Sequence, residues 1–395
     1  MNCRLYSRIA LNLSLQVSMA GLLAFPLIAA APATNAPVKT SDFVPVGPQN
    51  LAGFAAKVRS KQPVVIAYLG GSITVGSGAS PGHGYRNVAQ AALTKEIERR
   101  GGKATMVTSA TGGTPSSFGA FRVSNELLSQ HPDLLVVEYA VNDYGGVVGG
   151  ADGVAKVVDA MEGIVRQALR SNPAMGIVLF YTTNVRQQEE SYDKGLISAS
   201  ALAHHRVASH YGLMEVLTGP TVSKEIAEGK YTYDLFFRDK THPLDMGAAL
   251  YAKILVDAII PALDLPLSAP RPLPALLGTG AFEYARMDSV AVGDSGWTVG
   301  KDNCTLTCVE AGKPLHFTTK GTNIALVYKG RIKLNWTVGG KAQEKTVTAQ
   351  TGVPFPGNFR FDPAPDASGV TVEAVAGDDG VVKSEVLGVT SIQAP

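Results

Sequence analysis

Short apolar runs alternate with helical stretches from about residue 45 to about residue 265, and the alternation then stops. Val64–Leu69, Ala104–Val107, Asp133–Ala140 and Gly176–Thr182 read as strands, and the third carries a single Glu in an otherwise apolar run. Between and after them, Tyr85–Arg100, Val154–Ser171, Ser198–Tyr211 and Pro243–Leu263 read as helices, with Pro243 suited to a first helical turn. Strand–helix alternation requires parallel strands covered on both faces. The expected fold class is therefore α/β, a three-layer α/β/α flavodoxin-like domain. Residues 261–274 are Pro-rich and aperiodic and read as a linker. Beyond them Leu315–Thr319, Ile324–Lys329 and Ile332–Val338 alternate in the two-residue period of half-buried strands. The expected second domain is a β-sandwich. The expected boundaries are 1–36 for a leader, 37–268 for the α/β domain and 269–395 for the sandwich.

The first 36 residues are set aside from the fold. Arg4 and Arg8 precede the apolar run Val17–Ala31, which is broken by Pro26 and followed by small residues with A-x-A-like sites around Ala29 to Ala36. This is a secretory-signal pattern, so an exported protein, periplasmic or extracellular, is expected. No later run has the roughly 18 uninterrupted apolar residues of a spanning helix. With 35 Lys and Arg against 33 Asp and Glu, the net charge of +2 suggests neither nucleic acid nor an anionic membrane surface as partner. Removing the leader removes Cys3 and leaves Cys304 and Cys308. Residues four apart in one strand lie about 13 Å apart. A disulfide needs Cα atoms within about 7 Å, so a bridge requires a turn at residues 305–307. No ligand set for zinc accompanies them, and no metal or organic cofactor is expected.

Three segments stand where a parallel sheet presents its ligands, on loops after strands or before the closing helix. Leu69-Gly70-Gly71-Ser72 offers a hydroxyl at a strand end. Asn142-Asp143 follows the third strand and offers a side-chain amide. Asp239-Lys240-Thr241-His242 places a carboxylate and an imidazole three residues apart, close enough to share a hydrogen bond. Taken singly, each also reads as an ordinary turn or cap. Thr74 excludes the G-x-S-x-G elbow, and the absence of a following Gly-Lys-Ser/Thr disfavours a phosphate loop. His204, His205 and His210 read as surface or capping groups. Trp297, Trp336 and Tyr328 read as sandwich core, and Arg122 and Tyr144 are weaker candidates for the pocket wall.

Together, and in this chain order, the segments resemble the GDSL/SGNH hydrolase family. Gly70-Gly71-Ser72-Ile73 resembles its first block, Gly-Asp-Ser-Leu. Gly113 resembles the second-block glycine, Ala140-Val141-Asn142-Asp143 the third block, Gly-x-Asn-Asp, and Asp239-x-x-His242 the last. The resemblance covers residues from about 50 to about 260. It implies Ser72 as nucleophile, His242 as base and Asp239 as the group orienting it, with an oxyanion hole of the Ser72 and Gly113 N–H groups and the Asn142 amide. Gly112 is an alternative to Gly113. Gly71 replaces the family's Asp and Ala140 replaces a glycine, which touches pocket shape rather than reaction class. The implied activity is ester hydrolysis, with an acylated carbohydrate, acetylated above all, or another small ester as substrate. An O-acyltransferase with the same three residues and a non-catalytic carbohydrate-binding protein on the same scaffold are the alternatives.

Overall fold

The computed structural model describes residues 37–269, 272–288, 295–299, 306–318, 322–349, 357–361, 365, 369–377, 382 and 384–392. The secretory-signal pattern and Cys304 lie outside these residues. Strands β1 (Pro63–Gly70), β2 (Lys103–Ala110), β3 (Leu134–Glu138), β4 (Gly176–Tyr181) and β5 (Met214–Leu217) form a parallel sheet in the order β2-β1-β3-β4-β5. This is the flavodoxin-like order, whose direction reverses between β1 and β3. The crevice at the carboxyl ends of those two strands is where such a sheet receives a ligand.

Around the sheet run α1 (Ala52–Arg59), α2 (Ser72–Val75), α3 (Tyr85–Arg99), α4 (Ser116–Glu126), α5 (Ala140–Val148) and α6 (Ala151–Ser171). They are followed by α7 (Val185–Glu190), α8 (Ala199–Tyr211), α9 (Gly219–Ala227), α10 (Tyr233–Phe236) and α11 (Asp245–Ala262). The alternation within β1 sorts the layers. Val64, Ile66 and Tyr68 pack with Ala89 and Leu93 of α3 and Tyr251 and Leu255 of α11. Ala67 and Leu69 face the other way, into α4, α6 and α8. Both faces are dry, so the strands read as continuous apolar runs.

Two expected boundaries move. The closing helix begins at Asp245, not Pro243, because Pro243 pairs with Phe237 across the Asp239–His242 loop and Leu244 stays extended as the N-cap. Pro261 lies inside the last turn of that helix. There its missing N–H and rigid ring do not stop the turn from closing at Ala262.

The C-terminal region is antiparallel. Among the described residues, β6 (Ala285–Asp288), β7 (Thr298–Val299), β8 (Leu306–Cys308), β10 (Thr322–Lys329), β13 (Gly357–Arg360) and β15 (Ser384–Ile392) form one sheet. A second sheet holds β9 (Pro314–Phe317), β11 (Arg331–Val338), β12 (Lys341–Thr348) and β14 (Val370–Ala374). Leu306, Leu326 and Val386 of the first meet Leu315, Leu334 and Val372 of the second in one core, to which Trp297 and Tyr328 also belong. The β region packs on α4, where Phe118 meets Met287 and Val327, and Asn125 Nδ2 donates to the Met287 carbonyl at 2.7 Å.

The end of the aperiodic segment and the residues just after it are strapped to α6. Buried Glu162 accepts the N–H groups of Leu277 and Gly278 at 2.6 and 2.8 Å, and buried Arg166 pairs with Glu283 and donates to the Pro274 carbonyl. Truncation after Ser268 therefore strips buried charges of partners that truncation after Tyr284 retains. We expect the shorter chain to be less stable than the longer by about 1–3 kcal/mol. Thermal unfolding of the two truncations checks this, and equal melting temperatures would show that the strap contributes nothing.

Candidate active site

Ser72 is set by the abrupt end of β1. The chain leaves the sheet at Gly70 and turns into the single helical turn α2, whose first residue is Ser72. Gly70 leaves no room for a side chain: a methyl group there would stand 2.8 Å from both the Glu138 carbonyl oxygen and Thr74 Cβ. Gly71 is equally confined, since a methyl group on it would stand 2.9 Å from Asn142 Cγ. In this backbone geometry the Asn142 side chain occupies the space that a side chain at position 71 would need.

His242 comes from the loop between α10 and α11. The Phe237–Pro243 bridge and the Arg238 N–H to His242 carbonyl bond of 2.9 Å close that loop, and Lys240 turns it with φ of 64°. His242 Nε2 lies 2.8 Å from Ser72 Oγ, and Nδ1 lies 2.8 Å from Asp239 Oδ2 and 2.9 Å from Oδ1. Asp239 Oδ1 also accepts the backbone N–H groups of His242 and Thr241 at 2.9 and 3.2 Å. Burial pushes the Asp239 carboxyl up, but the His242 side chain and these N–H groups outweigh it and hold the carboxyl down at about 2. It is therefore ionised throughout the neutral range, and it fixes a proton on Nδ1, leaving Nε2 free to accept one.

Asn142, in the first turn of α5, leans on Gly71 beside Ser72. On the opposite side a methyl group on Gly112 would stand 3.6 Å from Ser72 Cβ, and Gly113 follows in a left-handed turn with φ of 68°. Gly112 borders the serine and Gly113 is next in the chain, so the alternative raised by the sequence persists. The hydroxyl, base, carboxylate, amide and glycine loop thus converge at the carboxyl ends of β1 and β3.

The supports of this cluster were harder to read. Asp143, fully buried, accepts the Ser116 N–H at 2.9 Å through Oδ1 and meets His204 Nε2 at 2.8 Å through Oδ2. It ties the helix of Asn142 to the loop of Gly113. His204 is accordingly a buried partner and not the surface group its helical context suggested. Its neighbours Ala203 and Val207, both buried, were the available signal. His205 is half-buried against Glu215, and His210 meets the Ala275 carbonyl. Helix α7 bridges the two halves: the Val185 N–H donates to the Lys240 carbonyl at 2.9 Å, and Gln187 Nε2 to the Ala140 carbonyl at 3.1 Å. Tyr144 donates to Glu190 at 2.5 Å under the Arg186 guanidinium. Arg122 is taken up by Glu126 and Thr111 over the Phe118 ring. Among the described residues no group of His, Cys, Asp and Glu is arranged to hold a metal ion, and no helix is long and apolar enough to cross a membrane.

Residues 68–250 match the model of the GDSL-like lipase/acylhydrolase family. This segment is a GDSL-like lipase/acylhydrolase domain. The GDSL-like domain and the antiparallel region together are similar to a crystal structure of a two-domain esterase (CEX) active on acetylated mannans, co-crystallised with mannopentaose. The two share 20% identity and a TM-score of 0.69, covering 89% of this chain and 96% of that one. A second structure of that esterase aligns at 20% identity and a TM-score of 0.68, over 88% and 96%. At this identity the likeness establishes the fold of the GDSL-like domain and its β companion. No curated protein sequence matches the chain.

Proposed function

We propose that the protein is a serine esterase that removes acetyl groups from acetylated carbohydrate. The observation that carries the reading is the continuous hydrogen-bonded line from Ser72 Oγ through His242 to Asp239, with both links at 2.8 Å. In this reading His242 Nε2 takes the Ser72 proton as Oγ attacks the acyl carbon. Asp239 stabilises the imidazolium that forms. The carbonyl oxygen gains charge opposite the Asn142 amide and the N–H groups of Ser72 and Gly113. His242 then returns the proton to the leaving sugar oxygen, the C–O bond breaks, and an acetyl-serine remains. Water attacks that ester by the same route, giving acetate and free Ser72. No step calls for a metal or an organic cofactor.

The carbohydrate part of the proposal draws support from the architectural likeness to the mannan-active two-domain esterase. Export of the chain belongs to the same reading, because an acetylated polysaccharide is met outside the cytoplasm. Kinetics on p-nitrophenyl esters of increasing chain length, with acetate release from acetylated polysaccharides, test it. We expect kcat/KM to fall by about tenfold or more from acetyl to butyryl, since one misfit methylene is worth about 1–3 kcal/mol. A preference for octanoyl or longer chains would overturn the acetyl assignment.

A further inference from the structure

The strand β3 ends on a carboxylate that the chemistry above does not use. Glu138 is fully buried and lies in register with Gly70 of β1. Its Oε2 accepts from Thr74 Oγ1 at 2.8 Å and its Oε1 from Thr182 Oγ1 at 2.7 Å. The backbone N–H groups of Gly71 and Thr74 lie where they favour its charged form. Thr74 stands two residues after Ser72, so its bond to Glu138 ties the carboxylate to the nucleophile turn. Thr74 Oγ1 is fixed further by the Tyr85 hydroxyl at 2.9 Å.

We propose that Glu138 is a positioning residue for Ser72, and that its grip on the nucleophile turn is complete only while the carboxylate is ionised. The inference rests on the esterase reading given above. The carboxylate accepts from both hydroxyls, one on each oxygen. A carboxylic acid carries a proton of its own, which must occupy one of these oxygens. Protonation therefore competes with the bond from Thr74 and loosens the hold on the nucleophile turn. A displacement of about 1 Å at a nucleophile costs about 10²-fold in rate.

The proton in question is exchanged in the working range. Burial pushes Glu138 up to about 7, against the opposing pull of the bonds from Thr182, Thr74 and the two N–H groups. The titratable groups facing it are phenols: Tyr85 from α3, Tyr139 next in the chain and Tyr251 from α11. Burial pushes each of these up, so they stay neutral while Glu138 titrates. The nearby Arg86 guanidinium acts on Tyr68 and Tyr85.

The test is the pH dependence of kcat and KM for p-nitrophenyl acetate, measured on the full chain from about pH 5 to about pH 9. In the wild type, activity needs Glu138 ionised, so log kcat should fall on the acid side as that carboxylate takes up a proton. Glu138→Gln should lower kcat by about 10²-fold at about pH 8, leave KM within about twofold, and flatten that part of the acid limb. Thr182→Val removes one bond that favours the charged form, away from Ser72, and should move the acid limb to higher pH with little change on the plateau. A Glu138→Gln protein with wild-type kcat, or a Thr182→Val limb that does not move, overturns the inference; should Glu138→Gln fail to fold, Thr182→Val decides alone. A wild type that hydrolyses no ester, or a Ser72→Ala variant as active as the wild type, overturns the esterase reading and this inference with it.

Discussion

Ser72→Ala is expected to lower kcat for p-nitrophenyl acetate by about 10⁴–10⁶-fold while leaving the melting temperature unchanged. The hydroxyl has no substitute in the site, because the next hydroxyl along, Thr74, is committed to Glu138 and Tyr85. Its removal costs little stability, since Ser72 sits at the rim of the sheet and its Oγ bonds to His242 rather than to the core. His242→Ala should be about as damaging, because a serine hydroxyl without a base is a poor nucleophile. The double variant should be no worse than either single one. Two residues that act as one unit are not additive. Steady-state kinetics with thermal melts on all three proteins decide the matter. Multiplying losses in the double variant would show that the serine and histidine act separately.

Asn142→Ala should reduce kcat by about 10²–10³-fold and leave KM nearly unchanged, as expected when a donor to the developing oxyanion is lost. The structure adds a second signature. Asn142 Oδ1 is buried without a hydrogen-bond partner among the described residues, and an unsatisfied acceptor costs about 1–3 kcal/mol. Truncation to Ala deletes that acceptor together with the amide donor. The variant should therefore be as stable as the wild type or more so, though far less active. Loss of both activity and stability would instead mark Asn142 as a packing residue whose removal collapses the turn at Gly71.

Four of the five parallel strands, and the side chains that meet at Ser72, were legible in the sequence because each is written locally, whereas the four-residue β5 was too short a run to stand out. Val64–Leu69 shows its strand by its own composition, and Asp239 and His242 are close enough along the chain for their pairing to be dictated by a tight loop. What supports those groups is written across the chain. The single Glu of the third strand is visible as an oddity, but its hydroxyl partners come from residues 74 and 182, which only the parallel order β1-β3-β4 brings together. His204 was misjudged for the same reason: its partner Asp143 stands 61 positions earlier. Helix α4 was not foreseen, since the Ser116–Glu126 segment has no capping side chain and its Phe118 faces the β region instead of the sheet. Pro243 misled at the other end, because a proline suited to a first helical turn can equally close a loop by pairing with Phe237.

The contact between Gly71 and Asn142 couples what each of the two positions can hold. An Asp at position 71, as the related first block carries, would have to place its Cβ where the Asn142 amide now lies. A one-step Gly71→Asp change therefore displaces the amide before it gains anything, and a one-step change at Asn142 opens a void without filling it. At this backbone geometry the two positions can change only together: position 71 stays without a side chain for as long as the Asn142 amide lies against it.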